Sequence, residues 1–344
     1  MRIYYSRTHT NHHPPFEILD GGERSHSYEV PDRVENIFSL LRQKSWAEIV
    51  EPTQFGLDPI LAVHDEGYLE FLRTAFLLWT AGEKNYEHVA LIPATFPLGR
   101  MRRIPRSILG KAGVYMMDLS APIGAETYPA ALQSAYCSLS GAEALLSGDR
   151  SSVALCRPPG HHAGKANCGG YCYLNNSSIA ANWLSRHKKV AILDIDYHAG
   201  NGTQEIFYER DDVLTLSIHA DPAEEYPYFS GYSDEIGNAR GEGYHLNIPV
   251  PFGTSDVGYV EALRQAITRI VSFNPGFLVV SVGMDIYKDD PLGKFKITRN
   301  GIHQIGSEIA KLRLPTLIVL EGGYDLESIG ENFLTFTENF IDQP

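Results

Sequence analysis

Asp194-Ile195-Asp196-Tyr197-His198 closes the apolar run Val190–Leu193. Two carboxylates and an imidazole at the end of a buried strand are costly: unpaired charges there lose roughly several kcal/mol or neutralise. A bound cation removes that penalty. Carboxylate oxygen with imidazole nitrogen is a ligand set that Zn²⁺ accepts, and Fe²⁺ as well. A catalytic zinc needs three protein ligands and one open position for water. Asp196, His198 and Asp285, which follows the apolar run Phe277–Val282, meet that count. Spacing of two predicts that Asp196 and His198 face one side of an extended backbone. Asp194 has the same parity but lies deeper, which suits orienting an imidazole rather than holding a metal.

Two more apolar runs end in residues capable of chemistry. Val153–Cys156 leads into Arg157-Pro158-Pro159-Gly160-His161-His162, and Thr316–Leu320 into Glu321-Gly322-Gly323-Tyr324-Asp325. A neutral histidine beside a metal-bound water could take its proton and later return one to a leaving group. The glycines let the backbone approach a ligand closely, and a tyrosine hydroxyl there could donate to a developing oxyanion. Taken singly, each feature has a plainer explanation: a helix cap for the Asp, surface residues for the histidines, a half-buried tyrosine. Parallel sheets bind ligands beyond the carboxyl ends of their strands, and four such exits converging outweigh the plainer explanations.

The elements that must position these residues alternate. Short β-rich runs fall at Arg2–Tyr5, Val153–Cys156, Val190–Leu193, Val213–Ile218, Phe277–Val282 and Thr316–Leu320. Helical spacing predicts helices at Asp32–Gln43, Gln133–Leu146, Asn176–Arg186, Asp256–Phe273 and Arg299–Lys311. Uninterrupted apolar strands alternating with helices predict one parallel sheet covered on both faces, a layered α/β fold. One stretch breaks the rhythm. Trp79–Tyr128, rich in Pro, Gly and Arg, reads as a long excursion of the kind that forms lids or interfaces.

The chain has 344 residues and a net charge of −13. That balance argues against nucleic acid, whose binding is driven by cationic side chains, and permits attraction of a cationic substrate. No apolar run is long enough to span a bilayer. The N-terminal residues lack the apolar core of a signal peptide, so a cytoplasmic location with reduced thiols is expected. Cys137, Cys156, Cys168 and Cys172 include no C-x-x-C pair. H-E-x-x-H, G-x-S-x-G and P-loop motifs are absent from the sequence.

The segments RPPGHHA, GGYCYLNN, LDIDYHAGNGTQEIFYE, SVGMD and EGGYD resemble those of zinc-dependent deacetylases of the arginase–deacetylase superfamily. Within it the chain is most similar to bacterial acetylpolyamine amidohydrolases, from PDRVENI near Asp32 to EGGYD. The resemblance implies a single deacetylase domain over residues 1–344, with an eight-stranded parallel sheet between helices. It implies Zn²⁺, or Fe²⁺ in the cell, on Asp196, His198 and Asp285. It makes His162 the general base and acid, oriented by Asn201, and His161 an electrostatic partner, oriented by Asp194. Tyr324 would polarise the carbonyl. Gly170, Tyr171, Tyr226 and Gly322 would wall the substrate channel. A K⁺ ion would sit on Asp194, Asp196, His198, Ser217 and Ile218, mostly through main-chain oxygens. The excursion at about 79–128 would lie at the channel mouth and meet its twin across a homodimer. The expected substrate is a small N-acetylated polyamine or diamine of the acetylputrescine or acetylcadaverine type. A protein acetyl-lysine deacetylase and a metal-binding sensor without turnover are the alternatives. One departure is visible: Ala199 stands where the family usually has a second histidine.

Overall fold

The computed structural model describes residues 1–18, 22–81, 90–99 and 101–341. Eight strands form one sheet: β1 Arg2–Tyr4, β2 Glu48–Val50, β3 Ser151–Ala154, β4 Val190–Asp194, β5 Val213–Ala220, β6 His245–Val250, β7 Phe277–Val282 and β8 Thr316–Leu320. Their order is β2-β1-β3-β8-β7-β4-β5-β6, and every pairing is parallel. The central strands are buried on both faces; all residues of β4 and β7 are buried. That is why they read as continuous apolar runs.

Alternate side chains of each strand enter two cores. Ala191 and Leu193 pack with Val34 and Ile37 of α1 (Asp32–Leu41) and with residues of three C-terminal helices. Val190 and Ile192 face the opposite way, against the helices that precede and follow β3. Period-two alternation is thus present in direction but hidden in composition, because both sides are apolar.

Two strands were not expected from the local pattern. β2 is short and half exposed, and β6 carries His245, Asn247 and Pro249. Both lie at the edges of the sheet, where a row of polar side chains or a proline is tolerated. The expected Val153–Cys156 strand starts two residues earlier and ends at Ala154. The helix expected from Gln133 begins at Thr127.

The excursion is corrected in part. Its first residues belong to a helix over Glu66–Thr80, and a further helix, Ile108–Tyr115, lies within it. The glycines of ILGKAGVY masked that helix; Gly113 is needed because a Cβ there would meet the Thr95 carbonyl. Residues 82–89 and 100 of the excursion lie outside the described residues. Among the described residues, no helix is long and apolar enough to cross a membrane. All four cysteines are buried free thiols.

Candidate active site

The strand order places β3, β8, β7 and β4 side by side at the centre of the sheet. Their carboxyl ends are the four exits that carry the candidate residues. β7 and β8 come last in sequence but slot between β3 and β4, so segments over 120 residues apart meet at one end of the sheet.

β4 stops at Asp194, and the backbone then turns instead of continuing extended. Asp194 Oδ1 accepts from the Asp196 amide at 3.0 Å, and Asp196 Oδ1 accepts from the His198 amide at 2.9 Å. Alternation along a strand is therefore not what gathers Asp196 and His198. Successive Asp side chains bonded to the backbone two residues on fold the segment into a bend.

Asp285, just beyond β7, completes the cluster. One ligand atom from each of Asp196, His198 and Asp285 lies within 4.8 Å of the others. His198 Nδ1 is 3.3 Å from Asp196 Oδ1 and 3.4 Å from Asp285 Oδ2. Both carboxylates are wholly buried, and Asp285 Oδ2 accepts no hydrogen bond. Burial, reinforced by the Asp196 charge, pushes the Asp285 carboxyl up to about 7. The backbone leaves room around these oxygens only because it is glycine there. A Cβ on Gly322 would lie 2.3 Å from Asp285 Oδ2, and one on Gly283 would lie 2.1 Å from Asp196 Oδ2. Two buried carboxylates, one imidazole and an orphaned oxygen fit a divalent cation that keeps an open position.

The paired histidines follow β3, and their rings lie 4.0 Å apart between centroids, tilted by 43°. They sit in opposite electrostatic environments. His161 Nδ1 is 2.9 Å from Asp194 Oδ2. Burial alone would lower the His161 imidazole, but Asp196 and Asp194 outweigh it and hold it up at about 10. His162 Nδ1 is 2.7 Å from Asn201 Oδ1, a neutral acceptor. Burial, with the His161 and His198 charges adding to it, drives the His162 imidazole well below its ordinary value. Gly202 and Thr203, opening the helix Asn201–Phe207, donate their amides to the His161 carbonyl and so place Asn201 beside the pair.

Tyr324 follows β8. Its amide donates to Asp290 Oδ2 at 2.6 Å, and its ring lies under the Arg33 guanidinium at 4.7 Å. Burial holds its phenol well above the ordinary value, so it keeps its proton. Tyr171, with φ of 64°, faces Tyr324 at 5.6 Å between rings. Gly170 precedes it and packs flat on His162; a Cβ there would lie 2.3 Å from His162 Cδ2. Tyr226 meets His162 edge to face at 4.9 Å. Ser217 pairs in register with Asp194 on the neighbouring strand, and Ile218 follows it on β5. Ala199 is buried against the turn at Gly231, where a Cβ would already lie 2.8 Å from its own.

Several residues of the cleft carry no signal in the local sequence. Glu321 is buried and accepts from the Gly160 amide at 2.7 Å and the His161 amide at 3.1 Å, fixing the loop of the paired histidines. Burial pushes its carboxyl up to about 7. Arg33 and Arg157 share the buried Glu29 carboxylate at 2.8 Å each. Arg33 also donates to the Glu321 and Gly323 carbonyls. Removing one member of such a buried ion cluster costs roughly 3–5 kcal/mol, so it can hold these loops rigidly. Glu321 of EGGYD, Arg157 of RPPGHH and Arg33 of PDRVENI lay inside the motifs, which was the one available hint.

A histone deacetylase domain model matches residues 27–340. The chain is 43% identical over 345 residues to acetylpolyamine amidohydrolase 1 of Pseudomonas aeruginosa, covering 99% of each. It is 41% identical to an acetylpolyamine amidohydrolase of Mycoplana ramosa, covering 96% of this chain and 97% of that one. A crystal structure of the acetylpolyamine aminohydrolase of Burkholderia pseudomallei matches with a TM-score of 0.95 at 40% identity, covering 99% and 98%. The domain model spans most of the chain and the relatives match it nearly end to end: the chain belongs to the histone deacetylase domain family.

Proposed function

We propose that this protein hydrolyses the amide of N-acetylated polyamines and diamines, such as acetylputrescine and acetylcadaverine, to acetate and free amine. The observation that carries the chemistry is one site holding both the Asp196–His198–Asp285 cluster and two adjacent histidines in opposite electrostatic environments. The choice of amine rests on near full-length similarity to acetylpolyamine amidohydrolases.

Asp196, His198 and Asp285 would hold the metal, zinc or Fe²⁺, leaving a position open. The metal would supply an acidified water and a Lewis acid for the acetyl carbonyl. Neutral His162, its Nδ1 bonded to Asn201, presents Nε2 to take the proton of the attacking water. Tyr324, a protonated phenol, donates to the carbonyl oxygen as negative charge builds on it. His161, held cationic by Asp194, stabilises that charge. His162, now protonated, returns the proton to the departing amine, with His161 as the other available donor. Asp194 and Ser217 pair on adjacent strands, Ile218 follows on β5, and main-chain oxygens of these residues with those of Asp196 and His198 in the bend after β4 would hold K⁺.

The excursion would act as a filter. It exposes Phe96, Leu98, Met101, Ile104 and Leu109, apolar side chains that a second copy of the chain would cover in a homodimer. Such a mouth admits a slender amine and excludes a folded protein. The test is direct. With zinc-loaded enzyme, kcat/KM for acetylputrescine or acetylcadaverine is expected to exceed that for an acetyl-lysine peptide at least tenfold. A peptide turned over faster would replace the polyamine reading with protein deacetylation. No turnover of either would leave a metal-binding protein without catalysis.

A further inference from the structure

The two channel walls on either side of His162 are fastened to a single carboxylate that none of the sequence motifs contains. Asp118 Oδ2 accepts from the Tyr226 hydroxyl at 2.6 Å and from the Gly170 amide at 2.8 Å. Its Oδ1 accepts from the amide and the hydroxyl of Ser120, both at 2.9 Å. Each oxygen thus takes two hydrogen bonds, which fills the acceptor capacity of the group. Tyr226 is the wall that meets His162 edge to face, and Gly170 introduces Tyr171, the wall that faces Tyr324.

Asp118 is itself firmly placed. The Met117 amide donates to the Cys168 carbonyl and the Cys168 amide to the Tyr115 carbonyl, each at 2.8 Å. Met117 Sδ also receives Asn201 Nδ2 at 3.8 Å, so this stretch borders the residue that orients His162. The end of the excursion is therefore stitched to the catalytic cleft and not merely laid over it. A wall residue needing only apolar bulk would not require a hydroxyl. Tyr226 carries one, and burial together with the Asp118 charge keeps it protonated and donating.

We propose that Asp118 is a positioning residue that sets the gauge of the substrate channel, holding Tyr226 and the Gly170–Tyr171 turn at a fixed separation. This rests on reading the cleft as an amide-hydrolysing channel. Hydrogen bonds to a charged acceptor are among the stronger kind, so losing two of them is expected to change binding about tenfold. The gauge governs how well a slender chain is gripped and how well a ring is refused.

The experiment uses the zinc-loaded full chain with D118A, D118N, Y226F and D118A/Y226F. D118A is expected to raise KM for acetylputrescine about tenfold, with a smaller change in kcat. It should also narrow the preference for acetylputrescine over N-acetylbenzylamine by a similar factor. D118N keeps one oxygen acceptor, which can serve Gly170 and Tyr226 while its NH2 opposes the Ser120 amide, and should recover part of the loss. The double variant should be no worse than D118A alone, because both changes break one network. Amide hydrogen exchange gives a readout independent of turnover: the Gly170 N–H should exchange about tenfold faster in D118A and stay as in wild type in Y226F. Wild-type KM, selectivity and Gly170 exchange in D118A would overturn the proposal, as would D118N behaving like D118A in all three. If wild-type enzyme hydrolyses neither amide, the functional reading falls, and Gly170 exchange alone still decides whether Asp118 holds the wall.

Discussion

Replacing Asp285 with Asn is expected to abolish both metal binding and amide hydrolysis while leaving the fold intact. Asp285 Oδ1 accepts from the Tyr197 amide at 3.0 Å, a bond that the Asn carbonyl can keep. What is lost is the charge on Oδ2, the buried oxygen that accepts no hydrogen bond and sits 3.4 Å from His198 Nδ1. A neutral amide is a poor ligand for a dication already dependent on only three protein donors. Metal content should fall from about one per chain to a small fraction, by the ligand count. Turnover should drop below detection.

Stability separates this from simple unfolding. In wild type, bound metal should raise the thermal midpoint, because it binds the folded state alone. Asp285→Asn should show no such rise. In chelator the order reverses. The Asp285 carboxyl, pushed up to about 7 by burial and by Asp196, binds its proton more tightly folded than unfolded. Stability from that proton is full below the unfolded carboxyl pKa of about 4 and is lost as pH rises through about 7. The Asn variant lacks this loss, so at pH 8 its metal-free form should melt at or above the metal-free wild type. A variant that binds metal normally, or melts far below wild type in chelator, would remove Asp285 from the ligand set.

The catalytic end of the fold was more legible than its edges, and the reason is physical. β4, β7 and β8 are buried on both faces, so their composition is apolar without interruption, and a charged residue at their exits stands out. β2 and β6 are edge strands and obey no such rule; His245, Asn247 and Pro249 conceal β6 completely. Asp196 and His198 were paired through strand alternation, but the pairing comes from Asp-built bends, which period-two spacing imitates. Asp290 and Asp118, and the structural role of Glu321 within its motif, were illegible because their partners are backbone amides of segments distant in sequence. No residue pattern at one position records which amide it will accept from. The helix Ile108–Tyr115 was missed for a related reason: its glycines are required by a close backbone approach, not by the helix itself.

His162→Ala is expected to lower kcat about a thousandfold, the scale of a lost general acid–base group, with metal content unchanged. The assignment between two adjacent histidines rests on their partners. Asn201 Nδ2 points at Met117 Sδ, so the amide must turn Oδ1 toward His162, and Nδ1 of His162 must be the donor. That leaves Nε2 with the lone pair. Burial and the charges of His161 and His198 keep the ring neutral to well below pH 6.5. A cation on the nearby ligands would depress it further. His161 is the reverse, a cation at neutral pH stabilised by Asp196 and Asp194. A metal on Asp196 would take up part of that attraction and leave Asp194 as its main partner. Two carboxamide-or-carboxylate choices therefore divide one His-His pair into a neutral ring, the proposed base, and a cation. The pH profile tests the division. In wild type, kcat/KM should not fall between pH 8 and 6.5 through protonation of the base, as it would for an imidazole of ordinary pKa. Asn201→Asp places a negative charge 2.7 Å from Nδ1 and should move the acid limb upward, toward neutral pH. Asp194→Asn should leave that limb where it is and lower kcat instead, by weakening the cation at His161. An acid limb that responds to Asp194→Asn and not to Asn201→Asp would exchange the two roles and make His161 the base.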